Sequence, residues 1–396
     1  MGALNDIRVL ELGSLLAGPF TGRLLGDFGA EVIKIEPPDK PDTMRIWGKQ
    51  IDGQGLLWPI QSRNKKSITL NLRVQEGQEI FKQLVAKADI VLENFRPGTL
   101  EKWGLGYETL KAINPKIILL RTSGFGQTGP YSHWAGFGSI GEAMGGLRYV
   151  TGFPDRPPTR IGISIGDSLA ALFATIGCLT ALHERKKSGI GQVVDTAIYE
   201  AVFAMMEGLV PEYEMAGYVR ERTGNILPGV APANIYETKE GNYIALGANA
   251  DNVFRRLAAA MGMPEIAEDE RFSSHTARGQ NMEELDTIVN EWTRTKSTEE
   301  LLTLLGESGV PAGKIYNVKD IVEDPHYAAR EMIISMQHPT LGNFRMPGIV
   351  PKLSRTPGEV KEVGAIRPGQ HNDKIYKEIL EYSDLEIHAL NKMGVI

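Results

Sequence analysis

Gly162-Ile163-Ser164-Ile165-Gly166-Asp167 places a hydroxyl and a carboxylate in one short stretch flanked by glycines, and either could act as a nucleophile in acyl transfer. The serine matches G-x-S-x-G, a pattern whose serine stands on a sharp turn leaving a buried strand. Pro157-Pro158-Thr159-Arg160 precedes it here, so the serine hydrolase reading lacks its setting. Asp167 is followed by Ser168-Leu169-Ala170-Ala171-Leu172-Phe173-Ala174, which puts its carboxylate at the expected N-terminus of an apolar helix. The residues alone leave two roles open: an N-cap, for which Asp is a favoured type, or a nucleophile kept ionised by the helix dipole, with glycines leaving room for a substrate. Gly13, Gly18 and Gly22, with Glu36 downstream, superficially suggest a dinucleotide fold. Their spacing departs from G-x-G-x-x-G and favours close packing of a helix on a sheet.

The elements that must position these groups follow from periodicity. Ile7 to Leu12, Pro19 to Phe28 and Glu31 to Glu36 read as strand, helix, strand, with Pro19 in a first helical turn and Gly29 as a stop. Ser67 to Leu72, Asp89 to Leu92 and Ile117 to Arg121 read as further strands and Glu76 to Ala88 as a helix. This alternation implies a doubly wound parallel α/β sheet, whose ligands bind beyond the carboxyl ends of the strands. Residues 122–166 are turn-rich; Asp167 opens a helix ending near Gly189, and a second helical pattern runs from Asp195 to about Glu214. A smaller α+β domain is expected at 222–318, with a strand at Tyr243 to Leu246 and helices at Asp251 to Met261, Met282 to Thr293 and Thr298 to Ser308. Residues 1–221 then form the first part of the large domain. Residues 319–396, with Ile333 to His338, Leu341 to Arg345 and a last helix from Asn372, return to complete it.

At 396 residues the chain is longer than one core usually serves, and with 23% charged and 42% hydrophobic residues its balance is globular. Its net charge of -6, with no long basic run, argues against nucleic acid as a partner. Cys178 is the one cysteine, which excludes an intramolecular disulfide and fits a small buried hydrophobe. The apolar run Leu169 to Leu182 falls short of the roughly 20 residues of a membrane span, and no signal peptide is readable at the N-terminus. A cytoplasmic protein with no membrane partner is the expectation.

Several motifs together resemble one family. Val9-Leu10-Glu11-Leu12 followed by Leu16-Ala17-Gly18-Pro19, Gly26 to Glu36, Asn64-Lys65-Lys66-Ser67, Glu93-Asn94-Phe95-Arg96-Pro97-Gly98 and Ser123 to Pro130 are similar to the family III CoA-transferases, the group of formyl-CoA transferase and carnitine CoA-transferase. Gly189 to Asp195, Gly309-Val310-Pro311-Ala312-Gly313 and His338-Pro339-Thr340-Leu341-Gly342 continue the resemblance over nearly the whole chain. The resemblance implies a large domain built from both chain ends, a smaller domain between them, and two ring-like subunits interlocked as a homodimer. It also implies Asp167 as nucleophile, acting through mixed-anhydride and aspartyl-CoA thioester intermediates. Coenzyme A is then substrate and product, a free carboxylate the acceptor, and no metal or prosthetic group is implied.

By the same resemblance Ser14, Leu16 and Ala17 line the channel near the thioester, and Arg45, Lys65, Asn94, Phe95, Arg96, Lys102 and Arg121 are candidate CoA contacts. Phe137 and Gly229 are candidate substrate contacts. The sequence departs from formyl-CoA transferase where Phe137-Gly138 stands for its Tyr-Glu pair, Leu16 for its Gln, and Leu227 to Asn234 for its glycine-rich tetrad. The chain is therefore closer to the branch that uses succinyl-CoA with four- to six-carbon dicarboxylates, and Arg160 and Arg222 are candidates for the acceptor's distal carboxylate. Two alternatives stay open: an acyl-CoA racemase, whose histidine position is taken by Phe137 with His133 nearby, and a CoA-binding protein without catalysis.

Overall fold

The computed structural model describes residues 2–396. The chain divides into two units, the larger made of the residues up to Leu147, Ile161–Leu209 and Ala328–Ile396, the smaller of Arg148–Arg160 and Val210–Tyr327. The sequence reading placed the smaller unit at 222–318 alone. The Arg148–Arg160 excursion is tied to that unit by contacts about 70 residues apart in the chain: Gly224 N–H to Gly152 O (2.9 Å), the Arg222 guanidinium to Tyr149 O (3.1 Å) and Tyr149 OH to Glu221 Oε1 (2.6 Å).

The large unit holds six parallel strands: β1 (Arg8–Glu11), β2 (Glu31–Glu36), β3 (Lys65–Thr69), β4 (Ile90–Glu93), β5 (Ile118–Ser123) and β6 (Val193–Ala197), in the order β3-β2-β1-β4-β5-β6. Neighbouring residues along a strand go to opposite faces. Leu10, Ile33, Val91 and Leu119 pack into one apolar cluster, while Val9, Val32, Ile90 and Ile118 pack into another. Each cluster is closed by helices, so the central strands are buried on both faces, as parallel strands with crossover helices require. On one face lie α1 (Ala17–Asp27) and the long crossover helix α5 (Ile165–Ser188), through Leu25, Ala174 and Cys178; on the other lies α2 (Gln75–Val85), through Ile80, Phe81 and Leu84. Short helices α3 (Thr99–Lys102) and α4 (Gly138–Met144) follow β4 and β5; α5 spans Ile165–Ser188, and α6 (Ile198–Phe203) follows β6.

Three local expectations are corrected. Val193–Ala197 is a strand pairing with β5, whereas the sequence pattern suggests a helix from Asp195. Its β-branched Val193, Val194 and Thr196 favour the extended edge, and the apolar spacing that suggested a helix belongs to Ile198 onward. Helix α5 is 24 residues long, begins two residues before Asp167, and is apolar enough by length and composition to cross a membrane, with 39% of that window buried. The tail forms two helices, α10 (Asn372–Leu380) and α11 (Asp384–Lys392), after a hairpin of Ile333–His338 with Gly342–Pro347. The smaller unit has a three-stranded antiparallel sheet of Ala233–Glu237, Tyr243–Gly247 and Ala312–Lys314, packed by α7 (Asp251–Ala260), α8 (Met282–Thr293) and α9 (Thr298–Glu307).

Candidate active site

The strand order reverses between β1 and β4, whose following segments run in opposite directions and open a crevice beyond their carboxyl ends. A cavity of about 280 Å³ lies there, lined by Leu12, Gly13 and Ser14 after β1, Pro37 and Lys40 after β2, Leu72 and Arg73 after β3, and Phe95 and Trp103 around α3. Phe95 and Trp103 meet edge to face with ring centroids 5.4 Å apart. The two lips are tied: Ser14 N–H donates to Asn94 Oδ1 and Asn94 Nδ2 to Ser14 O, both at 2.8 Å. Leu15 takes a left-handed φ of 64°, held by its N–H to the Asp42 carboxylate at 3.1 Å.

Beneath this crevice runs a buried ion network. Lys34 Nζ sits 2.7 Å from Asp42 and 3.4 Å from Glu11, and also donates to Gly13 O. Lys65 Nζ meets Glu11 at 2.8 Å and Pro19 O at 2.6 Å. Gly22 makes room for the Glu11 carboxylate, since a Cβ there would overlap Oε2. Burial pushes the Lys65 ammonium down to about 8 against the pull of Glu11. Burial acts on Lys34 too, but Asp42, Glu11 and Glu36 carry it above the ordinary lysine value.

This network corrects three of the expected CoA contacts. Lys65 is 2% exposed and committed to Glu11. Arg45 gives its N–H groups to Glu36 (2.9 and 2.6 Å), Ser67 (3.4 Å), Ala365 O (3.1 Å) and Ile366 O (3.0 Å), and its guanidinium lies over the Trp58 ring. A guanidinium has five N–H donors, and all five are used. Arg121 is bound to Glu93 and Glu101. A buried cation already paired with a carboxylate would have to break that pair to reach a phosphate. Arg96 and Lys102 are exposed with no ion pair among the described residues, and Phe95 lines the cavity. Asn94 spends its amide on Ser14; Leu16 is the half-buried N-cap of α1, and Ala17 is buried as its first residue. Sequence reasoning missed Lys40, Arg73 and Trp103, which lie outside the motifs that drew attention to their neighbours.

Asp167 is half-buried in the first turn of α5; Ser164, three residues before it, is the N-cap. The carboxylate therefore sits at the positive end of a 24-residue helix dipole. Because crossover helices run antiparallel to the strands they join, this end of α5 lies at the same carboxyl edge of the sheet as the crevice. The carboxylate rests against Gly138, the first residue of α4, where a Cβ would overlap Oδ2. Glu142, one turn along α4 and 2% exposed, approaches Gly166 N–H at 3.4 Å. Phe137, 68% exposed, precedes this contact, and Ser164 contributes only backbone to its helix end. Gly229 lies in the smaller unit at a φ of 77°, exposed and packed on Gly279.

The sheet thus opens a crevice at its switch point, and a carboxylate seated against Gly138 heads the crossover helix at the same edge. The model of CoA-transferase family III matches residues 4–372, and the chain belongs to that family. Succinyl-CoA–D-citramalate CoA-transferase of Chloroflexus aurantiacus is 58% identical over 394 residues, covering 99% of this chain and 98% of that protein. The beta subunit of succinyl-CoA–L-malate CoA-transferase from the same organism is 40% identical, with coverage of 99% and 98%. The crystal structure of a CaiB/BaiF family protein from Brucella suis superposes with a TM-score of 0.84 at 35% identity, covering 96% of this chain and 99% of that one.

Proposed function

We propose that this CoA-transferase moves CoA from succinyl-CoA to a dicarboxylate of four to six carbons, with Asp167 as the nucleophile. The observation that carries the reading is the Asp167 carboxylate itself, held at the head of α5 against a residue without a side chain. A carboxylate oxygen of Asp167 attacks the thioester carbon, the C–S bond breaks, and a succinyl-aspartyl anhydride forms with release of CoA thiolate. The thiolate then attacks the aspartyl carbonyl, giving an aspartyl-CoA thioester and free succinate, which leaves with one oxygen from the enzyme. The acceptor carboxylate attacks that thioester and expels the thiolate. The thiolate takes the acceptor's acyl carbon from the second anhydride and restores Asp167. Every step exchanges acyl groups of similar reactivity, so the protein's task is to hold the partners and exclude water.

The crevice at the switch point takes the nucleotide end of CoA, with Phe95 and Trp103 as an aromatic wall and Lys40, Arg73, Arg96 and Lys102 as the cations for its phosphates. The acceptor class rests on likeness to the citramalate and malate enzymes, and the carboxylate grip is assigned to no residue. The chain acts as a homodimer. Leu172, Phe173, Ile176 and Leu179 make an exposed apolar stripe on α5, opposite the Ala174 and Cys178 face that packs on the sheet.

Incubation with succinyl-CoA followed by hydroxylamine is expected to leave a hydroxamate at Asp167 by mass spectrometry, absent in Asp167→Ala. An acceptor labelled with oxygen-18 in its carboxylate should pass label to succinate over successive turnovers. Transfer activity without label passage would exclude the aspartyl route, and no transfer from succinyl-CoA to any dicarboxylate would exclude the assigned substrates.

A further inference from the structure

Arg121, a candidate CoA contact by resemblance, is held inside the sheet. Its position in the sheet assigns it different work. Arg121 lies on β5 directly opposite Glu93 of β4 and is 7% exposed. Its Nε donates to Glu93 Oε1 at 2.7 Å, while Nη1 and Nη2 reach the two oxygens of Glu101 at 2.7 and 3.1 Å. Glu93 ends β4 and Glu101 sits in α3, so one guanidinium joins both limbs of the segment 93–103. That segment carries Phe95 and Trp103, the aromatic wall of the crevice, and displays Arg96 and Lys102.

The ties continue to the wall itself. The second oxygen of Glu93 accepts Phe95 N–H at 2.6 Å, which fixes the backbone from which the Phe95 ring projects. Glu101 lies along Gly106, whose missing side chain leaves it space. Between the two limbs, Gly98 turns the chain at a φ of 84° and Thr99 closes the turn onto Arg96 O through N–H and hydroxyl. A planar fork can hold two carboxylates at fixed separation; a lysine ammonium, a point charge on a flexible stem, cannot reproduce that geometry.

We infer that Arg121 is a positioning residue, whose guanidinium, by bridging Glu93 and Glu101, sets the distance and angle of the Phe95–Trp103 wall and thereby the affinity for the nucleotide end of the CoA donor. The inference rests on the reading of the crevice as the CoA nucleotide site, and its test separates the two.

The measurement is steady-state transfer by wild type and Arg121→Lys with two donors: succinyl-CoA, and succinyl-pantetheine, which lacks the nucleotide. In Arg121→Lys, KM for succinyl-CoA is expected to rise about tenfold with kcat within about twofold, while kcat/KM for succinyl-pantetheine stays at the wild-type value. Glu101→Gln, at the half-exposed end of the clamp, should shift KM for succinyl-CoA in the same direction by a smaller factor, and it supplies the test if Arg121→Lys does not fold. An unchanged KM for succinyl-CoA overturns the inference. Equal losses with both donors overturn it too, because they report general damage and not the wall. If wild type prefers neither donor, the nucleotide does not bind the crevice, and that reading falls together with the inference.

Discussion

At Gly138 the absence of a side chain has a direct chemical meaning, because the space a Cβ would fill holds the Asp167 carboxylate. Gly138→Ala favours the helix that this residue begins, and the obstructed group is the far end of a side chain that can turn aside. The variant should therefore melt within a few degrees of wild type while the nucleophile is displaced. We expect kcat to fall about 100-fold with KM for succinyl-CoA within about threefold; wild-type kcat would show that the carboxylate needs no such seat. Asp167 is legible as a candidate because the sequence sets a carboxylate between a glycine and an apolar run. The cations were not. Lys34 faces Glu11 and Arg121 faces Glu93 across neighbouring strands, and a cross-strand ion pair becomes visible only once the register is known. A lysine inside a family motif and a lysine neutralised beneath it look alike in one dimension.

Among the elements, the sheet and its helices were readable because two periods, two for strands and 3.6 for helices, alternate along the first third of the chain. What escaped was set by pairing: β6 is a strand because β5 offers it an edge, and Arg148–Arg160 joins the smaller unit through bonds to residues 221–224, about 70 positions away in the chain. The returning tail shows a further dependence. His371 accepts Ser67 N–H through Nδ1 at 3.0 Å beside the Arg45–Glu36 pair, and burial lowers its pKa. His338, 3% exposed, likewise accepts the N–H groups of Thr340 and Leu341, and burial lowers it as well. A histidine whose folded value is depressed binds protons more readily unfolded. Its contribution is therefore complete above about pH 6.5 and is lost as pH falls toward the lower folded value. The melting temperature should drop between pH 7.5 and 5.5, and His371→Gln, which keeps an acceptor without a titration, should flatten part of that slope. An identical slope in the variant would place the acid sensitivity elsewhere.

For the whole molecule, the exposed stripe on α5 makes association testable. Ile176 is 59% exposed at the centre of Leu172, Phe173 and Leu179. A charge there costs an isolated chain little but cannot be buried unpaired in an interface. Ile176→Glu is expected to sediment as a monomer where wild type sediments as a dimer; a monomeric wild type would remove the proposal. A final consequence lies in Tyr376, fully buried, whose hydroxyl donates to Thr69 O at 2.6 Å across a separation of 307 residues. During synthesis β3 emerges early and waits for this partner until nearly all the chain has left the ribosome, while the sequence from Val210 to Tyr327 is already available to collapse. The apolar face that α10 will cover stays open to water until that helix arrives.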